Sequence, residues 1–532
     1  MGEVAQEVNF FEDSPLHDHD HERPTMIKTP EQQLITIKEF SCSVTGTFRS
    51  NGGGGGGGDG GLIINGWSSS KDDHVLGGGI FNDQIQDDWL PITESRNGNI
   101  MSVVFHLLCS GIGFQALSLP VAFVTLGWIW GIICLSLAFS WQLYTTWILV
   151  HLSEPVTGGG TCHSRYLRLA IAAFGPKLGK LLGIFPVMYL SGGSCVMLII
   201  TAGANMERLF AIIACGSGGD VTTCTEAAKS LPGVVWFLMF NCVAILIAQL
   251  PNLNSLAKVS MIGSITAVGS FTLIWALSIK NGRPDHVSYH SLKMPRSDHM
   301  DKFGDIFNAI GIIVLAFRGH NLVLEIQGTL SSNSKNPPSK TMWKGVTISY
   351  IIIAITLFPL AISGFWAYEN KVTADGGLLS AFWQVHGHNT SRLVLGTMYL
   401  LAVINSLSSF PIYAMPTFDN LEFRYISTKR RRCPKRVRIG LRLFFGGLTF
   451  FIAVAFPFLG SLAPLIGGIT LPLTYVYPCF MYISIRKPGR NGAMWLLNLG
   501  LGCLGTILSV VLVVAAVCNL ANKGLHANFF RP

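Results

Sequence analysis

The chain has 532 residues, 49% of them hydrophobic and only 13% charged, with 58 glycines. A soluble domain carries about 25% charged residues, so this balance excludes an ordinary cytosolic enzyme and makes lipid the solvent. The net charge of +9, from 38 Lys and Arg against 29 Asp and Glu, falls mostly in short loops between apolar runs. A nucleic-acid binder would cluster it on a soluble face, so no nucleic-acid partner is expected.

Residues 1–88 read as a disordered cytoplasmic tail. They hold an acidic His tract from His17 to Glu22, seven glycines from Gly52 to Gly58, and a second cluster from Gly77 to Gly79. Too little apolar surface is present there to offset the entropy of ordering. The His tract could hold a metal ion, but a solvated polar tail is the simpler reading, and no metal site is assigned. The first 35 residues lack an apolar core of signal-peptide length, so the membrane helices themselves must direct insertion. The twelve cysteines are scattered, without C-x-x-C or zinc-like spacing.

From residue 97 onward, apolar segments of about 20 residues recur, each long enough to cross a hydrocarbon core of about 30 Å. The spans read 98–126, 127–150, 178–208, 232–251, 255–279, 304–330, 343–367, 391–418, 438–457, 461–484 and 494–519. The expected organisation is therefore a tail (1–88), an eleven-helix membrane domain (89–523) and a short C-terminal tail (524–532). With the N-terminus cytoplasmic and the C-terminus outside, the basic cluster from Lys429 to Arg432 with Lys435 and Arg436 falls inside. Arg165, Arg168, Arg486, Lys487 and Arg490 fall inside too, as the positive-inside rule requires. Loop 280–303, with Lys280, Arg283, Lys293, Arg296 and Lys302 outside, runs against the rule. The sequon Asn389-Thr390-Ser391 lies in the expected exterior loop 368–390, making Asn389 a glycosylation candidate. Cys215 and Cys224 lie in exterior loop 209–231, where a disulfide is permitted.

Two helices read as broken. Gly111-Ile112-Gly113-Phe114-Gln115 interrupts the first span before Pro120, and Phe317-Arg318-Gly319-His320-Asn321 interrupts the sixth. Unwound backbone at membrane depth is tolerated where it lines a cavity or is buried in protein. Its freed amides and carbonyls, with the half-helix dipoles, suit a small zwitterion. The first and sixth positions are equivalent in a five-plus-five inverted repeat. Close helix packing would also explain the glycines, whereas a buried guanidinium at Arg318 calls for a functional reason.

Several strings resemble the plant amino acid/auxin permeases, on the lysine/histidine-transporter-like branch. They are Asp88-Trp89-Leu90-Pro91-Ile92-Thr93, the run from Gly319 to Gln327, Ile412-Tyr413-Ala414-Met415-Pro416 with Phe418-Asp419, the run from Leu250 to Ser255, and Pro457 through Cys479. The resemblance covers about 89–520. It implies proton-coupled import of an amino acid on the bacterial leucine-transporter fold, in the plasma membrane, with the proton gradient as driving force and no cofactor. Partners are then the amino acid, protons and the bilayer; nothing in the chain signals an oligomeric state. A transporter-like sensor that binds without flux is the alternative. A membrane enzyme would need a nucleophile or metal constellation, and no H-x-x-E-H, H-E-x-x-H or G-x-S-x-G is present.

Departures from the family pattern mark the site. Members usually read G-A-G-V-L-x-L-P where this chain has Gly113-Phe114-Gln115-Ala116-Leu117-Ser118-Leu119-Pro120. Gln115 thus replaces a glycine that would let backbone amides approach a carboxylate. Arg318 replaces a small residue, and Ser194 stands where relatives often carry Lys. Substrate-site candidates are therefore Gly111, Gly113, Phe114, Gln115, Tyr189, Phe317, Arg318, Gly319, Asn321 and Ser406, with Arg318 either clamping a carboxylate or pairing with Glu325 or Asp419. Proton-coupling candidates are His320, which titrates near neutral pH, and Glu325, a carboxyl costly to ionise in the membrane. Asn405, Ser408 and Ser409 read as hydrogen-bonding glue between helices, and Lys258 as a snorkelling side chain or an internal cation.

Overall fold

The computed structural model describes residues 89–154, 163–214, 231–284, 299–317, 322–331, 337–372 and 376–523, all within one compact unit. In chain order the helices are α1 (Ile100–Gly111), α2 (Leu119–Leu152), α3 (Tyr166–Phe174), α4 (Pro176–Ala214), α5 (Gly233–Ile247) and α6 (Ala257–Asn281). There follow α7 (His299–Ala316), α8 (Val323–Gly328), α9 (Pro338–Tyr368), α10 (Gly377–His386) and α11 (Arg392–Lys429). The chain closes with α12 (Lys435–Ala455), α13 (Ala463–Leu471), α14 (Tyr477–Arg486) and α15 (Ala493–Lys523). By length and composition, eight helical spans of the described residues can cross a membrane, and α1 and α5 are shorter apolar helices.

Local chemistry sets the boundaries. The Asn99 side chain accepts from Ser102 N at 2.9 Å and starts α1, while Ser391 does the same for α11. Gly175 (φ 82°) and Gly282 (φ 76°) end α3 and α6 in conformations that a Cβ would oppose. The boundary expected between the first two spans, 126/127, coincides with a kink at Gly127 (φ 72°, ψ −177°), across which α2 runs on. Two elements go beyond the hydropathy reading. Helix α3 lies in the expected loop 151–177 and buries Tyr166, Leu169, Ala170 and Ala173. Helix α10 lies in the expected loop 368–390. Both are too short to register as spans.

Lipid-type side chains such as Ile129, Trp130, Leu181 and Leu246 are exposed on the outer faces, as a bilayer solvent demands. Inside, small residues let helices touch. A Cβ on Gly467 of α13 would lie 2.2 Å from the Gly311 carbonyl oxygen of α7. A Cβ on Gly263 of α6 would lie 2.5 Å from both Cys109 Sγ of α1 and Ser408 Cβ of α11.

Candidate functional site

The first break lies where the sequence places it. Helix α1 ends at Gly111, Ile112 leaves the helical region (φ −99°, ψ 77°), Gly113 is extended, and Phe114–Ser118 form a tight 3₁₀ turn before α2. Three carbonyls at this end are met by α11. Ser409 Oγ donates to Cys109 O at 2.9 Å, the Tyr413 hydroxyl donates to Ser110 O, and Asn405 Nδ2 donates to Ile112 O at 3.4 Å. Asn405 and Ser409 are thus glue, as expected. Ser406 and Ser408 donate to Ala402 and Ile404 of their own helix, each at 2.9 Å.

The second break separates α7 from α8. Phe317 is buried at the end of α7, and Gln142 Nε2 of α2 donates to its carbonyl. A cavity of about 20 Å³, with room for ordered water, lies beside it. Leu107, Ser110, Gly111, Gln142, Phe317, Val323, Tyr350 and Ile353 line this cavity. Of the residues expected at the site, Gly111 and Phe317 meet there. Gln115 is buried and folds back, its Oε1 2.6 Å from where a Cβ on Gly113 would stand, and its Nε2 finds no partner among the described residues. Tyr189 lies on α4 and Ser406 on α11, neither lining the cavity. Arg318, Gly319, His320, Asn321, Cys215 and Cys224 fall outside the described residues.

A charged cluster closes one end of the bundle below these breaks. Arg165, just before α3, meets Asp419 of α11 at 2.5 Å and donates to Thr93 Oγ1 at 3.0 Å. Asp419 Oδ1 also accepts from Ile92 N at 3.3 Å. The segment ahead of α1 is thereby strapped across the end of the bundle, and Gly98 N donates to Thr329 O beyond α8 at 3.0 Å. Buried Glu325 of α8 accepts from Tyr166 N at 3.3 Å through Oε1, while Oε2 has no partner among the described residues. Asp419, one expected partner of Arg318, is held by Arg165. Nearby, Glu422 takes Arg438 at 3.0 Å, and buried Arg442 donates to the carbonyls of Ala248, Leu250 and Pro251.

Sequence reading missed His106. It is buried on α1, where Nδ1 lies 2.6 Å from Ser260 Oγ of α6. Ser260 Oγ also lies 3.0 Å from Leu256 O, so its single proton goes either to that carbonyl or to Nδ1. The tautomer of His106 follows from that choice, with Nε2 facing away from Ser260 in both cases. That atom has no partner among the described residues. One histidine in an apolar run carries no period or spacing that would have marked it. Lys258 is exposed, in keeping with snorkelling and not with an internal cation. Asn389 is exposed in the turn before α11.

Residues 96–520 match the family model of transmembrane amino acid transporter proteins. The chain belongs to that family. It is 49% identical over 447 residues to lysine histidine transporter-like 7 of Arabidopsis thaliana, covering 84% of this chain and 90% of the relative. To lysine histidine transporter-like 8 of the same plant it is 48% identical over 450 residues, 84% of each chain. The solved structure of MhsT in complex with L-phenylalanine aligns over 79% of this chain and 99% of its own, at 14% identity and a TM-score of 0.51. The fold is therefore that of the bacterial leucine transporter, nearly all helical with its first and sixth helices broken. The protein is a multi-pass membrane transporter and not an enzyme.

Proposed function

We propose that the protein is a proton-coupled symporter importing an amino acid across the plasma membrane, with the strapped, basic end and the N-terminus in the cytoplasm and the C-terminus outside. The observation that carries the coupling is a pair of buried titratable side chains, His106 on α1 and Glu325 on α8, each with one polar atom, Nε2 and Oε2, that has no partner among the described residues. Each sits on a short helix that borders a break, so a proton taken there alters the charge next to the broken backbone. The carbonyls of Cys109, Ser110 and Ile112, which could ligate a metal ion, already receive donors from α11. Driving the cycle with a proton leaves those bonds intact. Residues 318–321 complete the zwitterion site in this reading, with Arg318 clamping the carboxylate and His320 sharing the proton.

The test is uptake of labelled amino acids into oocytes at acidic and neutral external pH, with surface protein measured. Wild-type uptake is expected to rise with acid. Glu325→Gln and His106→Gln, at equal surface level, are expected to lose that rise. Uptake by both variants that still climbs with acid would overturn the coupling assignment. Binding without flux in the wild type would instead favour a sensor, a reading that Gln115 supports because its side chain lies over Gly113. Topology has its own check: Asn389→Gln is expected to abolish a glycan-dependent mobility shift, and no shift in the wild type would place that loop inside.

A further inference from the structure

Helix α2 carries a stripe of side chains, Phe139, Gln142 and Thr146, spaced three and four residues apart, that meets Phe317 at the end of α7 and Tyr350 of α9. The Phe139 ring packs edge-on against the Phe317 ring at 6.0 Å and 65°, and lies 5.5 Å from the Tyr350 ring. Thr146 and Tyr350 join hydroxyls at 2.8 Å. Gln142 is 6% exposed, and its amide donates to the Phe317 carbonyl. Phe317 closes the last turn of α7 through its own N–H, which donates to Val314 O at 3.2 Å. Its carbonyl lies past the end of that helix and needs an outside donor. An amide at this depth is costly unless hydrogen-bonded, whereas Leu or Met would fill the space without cost. The one residue is thus held twice, by its ring and by its carbonyl, from a single helix. Because α2 continues out of the first break, this hold ties the second break to the first.

We propose that Gln142 is a positioning residue for transport. It fixes the Phe317 carbonyl, and with Phe139 it holds the end of α7, beside the cavity that Gly111 of the first break also lines, in the geometry that transport requires. The assignment rests on the reading of the two breaks as the substrate site. The adjoining cavity, shared by Gln142, Phe317 and Tyr350, leaves room for the carbonyl to shift once the donor is gone.

The test uses the full chain in lipid nanodiscs for hydrogen exchange and in oocytes for uptake. Gln142→Met keeps length and loses the donor; Gln142→Asn keeps polarity and falls short of the carbonyl. Both are expected to raise KM about ten-fold, the change of one buried hydrogen bond, with maximal rate per surface molecule nearly unchanged. Amide exchange in the last turn of α7 is expected to rise. Combining Gln142→Met with Phe139→Leu should raise KM by less than the product of the single effects, because both act on Phe317. Unchanged KM and unchanged exchange would overturn the proposal, as would losses that merely track the amount of folded protein. If wild-type protein moves no amino acid, the transport reading fails, and the exchange result still decides whether Gln142 holds Phe317.

Discussion

Arg165→Ala is expected to destabilise the folded bundle by about 3–5 kcal/mol, the usual cost of stranding one charge of a buried pair. Asp419 would lose its partner at a side-chain exposure of 3%, and Ile92 N cannot neutralise a carboxylate alone. The strap over residues 92–98 would also lose the Thr93 contact. Thermal unfolding of detergent-purified protein measures this directly. Asp419→Asn should cost less, because an amide oxygen still accepts from Ile92 N and from Arg165. Paired replacement by Arg165→Met and Asp419→Leu should recover much of the single-variant loss, since no unpaired charge is then buried. An Arg165→Ala protein as stable as wild type would show that the strap is held by other contacts. Uptake is expected to fall with stability, because less folded protein reaches the membrane.

Gly467→Ala is expected to have the second large effect, through shape alone. The new methyl would stand 2.2 Å from the Gly311 carbonyl oxygen, a backbone atom that moves only if α7 moves. The reciprocal change meets Pro464 O at 2.9 Å from a Cβ on Gly311, so neither helix has slack. Overpacking typically costs about 1–3 kcal/mol, and separation of α13 from α7 would displace Phe317, which directly follows the last residue of α7. Surface expression and uptake should both drop. Gly440→Ala on α12 is the control, because nothing lies within 4 Å of its Cβ. There the better helix former should leave the protein equal or slightly more stable. Normal expression and uptake by Gly467→Ala would mean that α7 and α13 lie farther apart in the bilayer.

Much of the fold was legible because hydropathy needs only local sequence. Runs of about 20 apolar residues exist whatever packs against them, and Gly127, Gly111 and Pro120 punctuate them where the backbone departs from a straight helix. The short helices α3 and α10 were not legible, because their apolar faces are read only against the surfaces that bury them. At the first break, the residues that leave the helix could be named from sequence. Their partners could not. Tyr413 and Ser110 are 303 positions apart, Asn405 and Ile112 are 293 apart, and Arg165 and Asp419 are 254 apart. In the sequence Gln142 is one polar residue on a long apolar helix, and only the fold sets its amide against the Phe317 carbonyl.

The sequence by itself determined that the chain is a membrane protein of many helices, that the first and sixth are interrupted, and which family it resembles. These properties follow from composition and short motifs, which lipid and backbone chemistry constrain locally. Tertiary structure alone decided that α11 satisfies the first break, that Arg165 is a buried partner of Asp419 and not a free loop charge, and that His106 meets Ser260 through Nδ1 while its Nε2 is left without a partner among the described residues. Each of these depends on which distant side chain arrives within hydrogen-bond reach. Only the packing of helices against one another fixes that.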